Sequence, residues 1–223
     1  EEYIEKIKEF GIGSRKNIEN FRKQAVDYWI KFPNKFIHGR HNTDVSGDYI
    51  CYSKNAKNCW RIIGGENVKY CQNFSIGPGK DSYDHSNFAD GTELIYESVV
   101  TGRGAYNVAF SVLCFESVSN IKYCISCGQN SSYLFGCVGL RNKQYCIFNK
   151  QYTKEEYEEM LPRIIKHMDD MPYVDKKGRT YKYGDFFPTE LSLFGYNETT
   201  AYEYFPLSKE EAFQKGYNWR ERG

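Results

Sequence analysis

Between about residues 45 and 150 the apolar positions fall in short stretches rich in Tyr, Val, Ile, Phe and Cys, separated by SGD, GG, GPGK, DG, GRG and CGQN. Stretches of this make-up suit half-buried strands of about 4–6 residues, each closed by a corner. The flanks follow a different period. Residues 1 to 9 and 14 to 31 carry apolar side chains at helical spacing (Tyr3, Ile4, Ile7; Ile18, Phe21, Ala25, Trp29), separated by GIG and ended by Pro33. A third helix is predicted over 153–168, opened by a capping box of Thr153 and Glu156 and kinked at Pro162. A short one follows over SKEEAFQKG, opened by Ser208 and Glu211 and closed at Gly216.

The middle of the chain repeats itself. SKNAKNCW at 53–60, ENVKYCQN at 66–73, SNIKYCIS at 119–126 and RNKQYCIF at 141–148 each hold an Asn, two residues, then usually Tyr and Cys; QNSSYLFG at 129–136 keeps the Asn and Tyr. Taking Asn58, Tyr70, Tyr83, Tyr96, Phe110, Tyr123, Tyr133 and Tyr145 as equivalent gives steps of 12, 13, 13, 14, 13, 10 and 12 residues. A unit this short fits one strand and a corner, not a helical hairpin, and two units make about 25 residues, within the range of solenoid coils. The predicted fold is mainly β: a short parallel β-helix (solenoid) with flanking α-helices and an aromatic C-terminal cap. Its divisions are a helical lead-in and linker over 1–44, a β-helix repeat domain over 45–150, and a helix with a capping segment over 151–223. The segment YGDFFPTELSLFGYNETTAYEYFPL is expected to cover the open end of the stack, which otherwise exposes core and strand edges.

Stacking supplies a structural role for most of the unusual residues. The repeated Asn suits a corner, where left-handed backbone is needed. On a coil of about 25 residues, Cys71, Cys124 and Cys146 share one ladder and Cys59 lies on the other face. In NVKYC and NIKYC the Lys and Cys have the same strand parity, so either Tyr points inward with Cys outward, or the chain turns a corner between Lys and Cys.

The 30 basic and 29 acidic residues nearly cancel, so net charge does not indicate a nucleic-acid or membrane-surface partner. No apolar run is long enough to span a bilayer, and EEYIEKIKEF is unlike a secretion signal. The chain opens on Glu and not Met, as a fragment or processed product would. All eight cysteines lie in the middle hundred residues, and a chain of 223 residues does not need disulfide staples, so free thiols and a cytoplasmic compartment are expected. The N-x-S/T matches at Asn73, Asn130 and Asn197 are of a frequency that chance supplies.

The stretch LFGCVGLRNKQYCIFNKQYTKEEYEEML, together with GYNETTAYEYFPLSKEEAFQKGY, resembles an uncharacterised family of Cys- and Tyr-rich repeat proteins from metagenomic bacterial genomes. Its members often carry zinc-ribbon-type CxxC pairs elsewhere in the chain. The resemblance covers roughly residues 40 to 223 and implies no catalytic residue. EEYIEKIKEF also resembles EEYEEMLPRI at 155–164, as if the chain began at the end of a preceding, similar module.

Candidate chemistry is sparse. GxSxG, HExxH, phosphate-binding and dinucleotide-binding glycine motifs are missing. Cys124 and Cys127 form one CxxC, and Cys114 and Cys137 could join them across adjacent coils as zinc ligands. His38 and His41 read as turn histidines. The 80–93 segment is expected as an acidic loop: Asp81, Asp84, His85, Asp90 and Glu93 could hold calcium, or, beside Lys80 or Arg103, abstract a proton in a polysaccharide lyase. Repeated Lys69, Tyr70, Lys122, Tyr123 and Tyr145 instead suggest a face for a polymer or protein. No cofactor is favoured. The leading reading is a non-catalytic binding or scaffold module, with a lyase-like enzyme and a cysteine-based metal module as alternatives.

Overall fold

The computed structural model describes residues 2–11, 13–74 and 76–221. Glu1 and Ile12, which the sequence pattern assigns to the first helix and the GIG break, and Ser75 of the Asn73 match lie outside the described residues. Residues 1–38 form one unit, with α1 (Glu2–Phe10) and α2 (Arg15–Trp29). α2 buries none of its side chains and leaves Phe21, Tyr28 and Trp29 exposed.

The second unit, residues 39–223, is a β-solenoid. Its strands are β1 (Gly39–Arg40), β2 (Thr43–Cys51), β3 (Lys54–Ile63), β4 (Gly65–Lys69), β5 (Gln72–Phe74), β6 (Gly79–Ser86), β7 (Thr92–Val99), β8 (Tyr106–Ala109), β9 (Ser119–Lys122), β10 (Ser132–Phe135) and β11 (Gln144–Ile147), all paired in parallel. The closing strand β12 (Lys150–Gln151) runs antiparallel on the free edge of β11. Then come α3 (Lys154–Asp170), the short pair β13 (Tyr173–Val174) and β14 (Thr180–Tyr181), α4 (Thr200–Tyr204) and α5 (Lys209–Gln214). Both capping boxes form as the sequence indicates, and α3 is a single helix with Pro162 inside it. Among the described residues, no helix is long and apolar enough to cross a membrane.

The coil is half the predicted size. Lys57, Lys69, Tyr83, Tyr96, Ala109, Lys122, Phe135 and Ile147 stand one above another, so successive coils contain 12, 14, 13, 13, 13, 13 and 12 residues. Each coil is one repeat, not two. The reason is a period of three: Ala56, Cys59, Ile62, Gly65, Val68, Cys71 and Phe74 point inward, and the residue before most of them is left-handed, as at Asn55, Asn58, Arg61, Asn67, Tyr70 and Asn73. Every third residue therefore turns a corner. In NVKYC the chain turns at Tyr70, which places Val68 and Cys71 inside and Lys69 outside, and settles the parity conflict in favour of the corner.

The repeated Asn55, Asn67, Asn120 and Asn142 are all left-handed, as corner residues should be. Their side chains also bond between coils, Asn55 donating to Asn67 at 3.0 Å and Asn107 to Asn120 at 2.7 Å. The aromatic series splits into separate columns. Tyr70, Phe110 and Tyr123 stand one position after Tyr83 and Tyr96, while Tyr133 and Tyr145 stack over Asn120. Gly47 shows the tolerance of the stack: it has φ of 115°, and a Cβ there would stand 1.8 Å from the Cys59 carbonyl oxygen of the next coil.

Four inward columns result. One runs Ala56, Val68, Ser82, Ile95, Val108, Ile121, Leu134 and Cys146. The next runs Cys59, Cys71, His85, Ser98, Ser111, Cys124 and Cys137, so Cys59 shares a ladder with Cys71 and Cys124 while Cys146 does not, the reverse of the prediction from a longer coil. A third contains Thr101, Cys114, Cys127 and Leu140, and the fourth Gly65, Gly79, Thr92, Ala105, Val118 and Ser131. A cluster of Phe135, Ile147 and Tyr157 lies under α3, and inside the coils the apolar core is in two parts, one from Ile50 to Ala89 and one from Ile95 to Cys146. The buried polar side chains of Ser82, His85, Thr92, Ser98 and Thr101 lie where the two meet.

Candidate functional site

Seven buried cysteines share one local geometry. Cys59, Cys71, Cys114, Cys124, Cys127, Cys137 and Cys146 each donate the thiol proton to the carbonyl two residues earlier, over 3.3–3.8 Å. Ser53, Ser82, Ser98 and Ser111 do the same at 2.8–2.9 Å. The three-residue corner brings that carbonyl under the inward side chain, so any short donor fits there. Cysteine and serine thus share one column because they solve the same hydrogen-bonding problem.

The four cysteines proposed as zinc ligands are gathered on two neighbouring columns of the second core cluster. The facing thiols of Cys114 and Cys124, with the Arg141 charge nearby, hold the Cys127 thiol below its ordinary range, while Cys114 and Cys124 are pushed up. Among the described residues, no three Cys, His, Asp or Glu side chains converge as a metal ion requires. Replacement Cys124→Ser is expected to keep the fold, with a stability change within about 1 kcal/mol, since Ser111 already occupies that column. Urea unfolding monitored by circular dichroism checks this, and loss of folded protein would show that the thiol has a role serine cannot supply.

The 80–93 acidic loop is not a loop. Residues 79–86 are β6, and β7 begins at Thr92. The pattern of three sends its candidate residues in different directions. His85 points into the core, while Asp81 and Asp84 sit on left-handed corners facing out. Asp81 accepts a hydrogen bond from Asn67 at 2.8 Å. Asp84 and Asp185 add to burial in raising Glu97 above the ordinary carboxyl range. Asp90 and Glu93 are half-buried, Lys80 is exposed, and Arg103 pairs with Glu116 at 3.2 Å. His41 stacks on Tyr52 with centroids 5.1 Å apart.

The proposed binding residues also separate. Lys69 lies over the Tyr83 ring at 5.3 Å, with Tyr70 exposed beside it. Lys122 donates to the Tyr183 hydroxyl at 2.5 Å, and the Tyr123 hydroxyl accepts from the Gly184 amide at 2.9 Å. Burial pushes Tyr123 up to about 12. Tyr145 stacks on Tyr133 and meets the edge of Tyr157 from α3. The aromatic segment therefore lies partly along the outer face of the coils, while β12 and α3 cover the last ones.

Between that segment, α3 and the last coils runs a groove of about 1120 Å³. Its floor is Ile125, Gly136, Val138 and Phe148; one wall is Met160, Ile164 and Met168 of α3; the other is Phe186, Phe187 and Pro188. Gly136, at φ of 63°, lets the Phe148 ring lie across it, since a Cβ would stand 2.6 Å from that ring. The mouth is apolar too: Val138, Phe148, Leu191 and Met171 are 56%, 66%, 57% and 69% exposed. Arg163, His167 and Lys182 line the groove against a single carboxylate, Asp185.

The wall is held from behind by Asp175. Burial alone would raise its carboxyl, but the Arg179 backbone and guanidinium, with the Lys177 amide, hold it below the ordinary range. Arg179 also reaches Thr189 at 2.8 Å, fixing the segment to the hairpin.

No family model matches this chain, and no curated protein matches its sequence. The groove's geometry is then the basis for a functional reading. Sequence reasoning missed it because its walls come from segments scattered between residues 123 and 191. One signal was present: all three methionines of the chain, Met160, Met168 and Met171, lie within twelve residues and line it.

Proposed function

We propose that this chain is a non-catalytic binding module, in which the solenoid is the rigid floor of a groove for an amphipathic helix of a partner protein. The partner helix has an apolar stripe flanked by acidic residues. The apolar mouth carries this reading. A site for a small molecule usually encloses most of its ligand, whereas a helix laid in a groove keeps its stripe in contact as far as the rim. Methionines adapt such a surface to different side chains, and the two cations Arg163 and Lys182 against one carboxylate favour acidic flanks. A reducing compartment belongs to the same reading, supported by seven inward thiols serving as hydrogen-bond donors.

The test is fluorescence anisotropy with a labelled model helix of leucine stripe and glutamate flanks. Saturable binding that weakens with salt is expected. Met171→Glu and Val138→Glu, both at exposed positions, should each reduce affinity at least about tenfold through lost apolar contact and repulsion of the acidic flanks. Equal binding by wild type and both variants, or no binding at all, would remove the groove from consideration.

A further inference from the structure

The corner rule that satisfies Ser53, Ser82, Ser98, Ser111 and the seven inward cysteines does not satisfy three other inward residues. His85, Thr92 and Thr101 are at most 2% exposed; Thr92 Oγ1 and Thr101 Oγ1 have no hydrogen-bond partner within the protein, and His85 Nδ1 and Nε2 make no hydrogen bond of full geometry, with only the Thr101 carbonyl near the ring. The three residues are contiguous in space: His85 belongs to one coil, Thr92 and Thr101 to the next, and the register pairs His85 with Ser98. They occupy three different inward columns, so their side chains converge on the solenoid axis from separate sides. The His85 coil contributes Gly79, Ser82 and Ala89, all small, at its other inward positions, and the Phe74 ring lies against Gly79. The two apolar core clusters meet at this level. On one side the Phe74 ring, 4.9 Å from the imidazole, presents no polar group.

We infer that this layer is a built internal site for ordered water, held by His85, Thr92 and Thr101 on the solenoid axis. Buried polar atoms in native proteins are paired by protein or by bound water, and four orphans at one level exceed what packing leaves by accident. The donor set identifies the guest. A neutral imidazole offers one donor and one acceptor, and each hydroxyl offers both. Among the described residues no carboxylate or ammonium is buried in these coils to retain an ion, so a small neutral molecule that donates and accepts is the complement.

Thr101→Val separates the two states of the site by the sign of its effect, because valine matches the shape of threonine without the hydroxyl. If water bridges the layer, the substitution removes one of its partners, and Tm should fall by about 2–4 °C. If the layer is dry, it removes an unsatisfied buried hydroxyl, and Tm should rise. Thr92→Val should move Tm in the same direction. A high-resolution crystal structure of the wild-type chain supplies the second readout. Density within hydrogen-bond distance of the His85 ring and the Thr101 hydroxyl is expected; a dry layer, or a rise in Tm for both variants, overturns the inference.

Discussion

Acidification from about pH 7.5 to about pH 4.5 is expected to cost the folded chain about 2–3 kcal/mol through His85 alone. Burial lowers this imidazole from its ordinary 6.5 to about 4, against a weaker opposite pull from the Thr101 carbonyl. Above 6.5 the ring is neutral in folded and unfolded chains alike, so it contributes no pH dependence. Between 6.5 and 4 the unfolded chain takes up a proton that the folded one refuses, and stability drops as pH falls. Below 4 both are protonated and the loss levels off. The nearest titratable group on the column is Cys71, whose thiol its hydrogen bond with Cys59 and its burial hold protonated, so it adds nothing in this window. Urea midpoints of wild type and His85→Ser across this range isolate the effect, since the exposed carboxylates titrate in both. Serine already stands next on the column, at Ser98 and Ser111. Parallel pH profiles for the two proteins would show that His85 is not the group responsible.

Ile121→Ala is expected to cost about 2–5 kcal/mol, whereas Ile125→Ala, four residues on, should cost less than about 1 kcal/mol. Ile121 is fully buried between Val108 and Leu134 on its column, and truncation leaves a hole that the stacked backbone cannot close. Ile125 faces outward and is partly exposed. The difference reads the period of three directly: strict alternation would put both residues on the same face. Comparable losses for the two variants in chemical denaturation would contradict the assignment of inward columns.

The solenoid was legible because the repeated Asn, Tyr and Cys recur at the coil length. Its cross-section was not, because two-residue alternation is the usual strand rule and here the chain turns at every third residue. The conflict in NVKYC, where Lys69 and Cys71 share parity but differ in polarity, was the local trace of that turn. The same period undid the acidic loop: one strand sends Asp81 and Asp84 outward and His85 inward. The groove lay beyond sequence reasoning for a different cause. Val138, Met168 and Phe187 meet only because α3 and the aromatic segment return over the coils, a tertiary arrangement that no local pattern encodes.

Coil length varies between 12 and 14 residues, yet the inward columns stay in register, so the surplus must be absorbed locally. In three successive coils it falls on the same side, before Ala105, Val118 and Ser131, where two left-handed residues stand in a row: Arg103 and Gly104, Glu116 and Ser117, Gln129 and Asn130. That side acts as a seam for insertions and deletions. Sequence drift there changes the girth of one coil without disturbing its neighbours, whereas a single inserted residue on the Ile121 side would turn the inward residues of that coil out of their columns. The seam is therefore the natural place to graft a foreign peptide, and copies grafted into consecutive coils would be displayed one above another at the inter-strand spacing of about 4.8 Å.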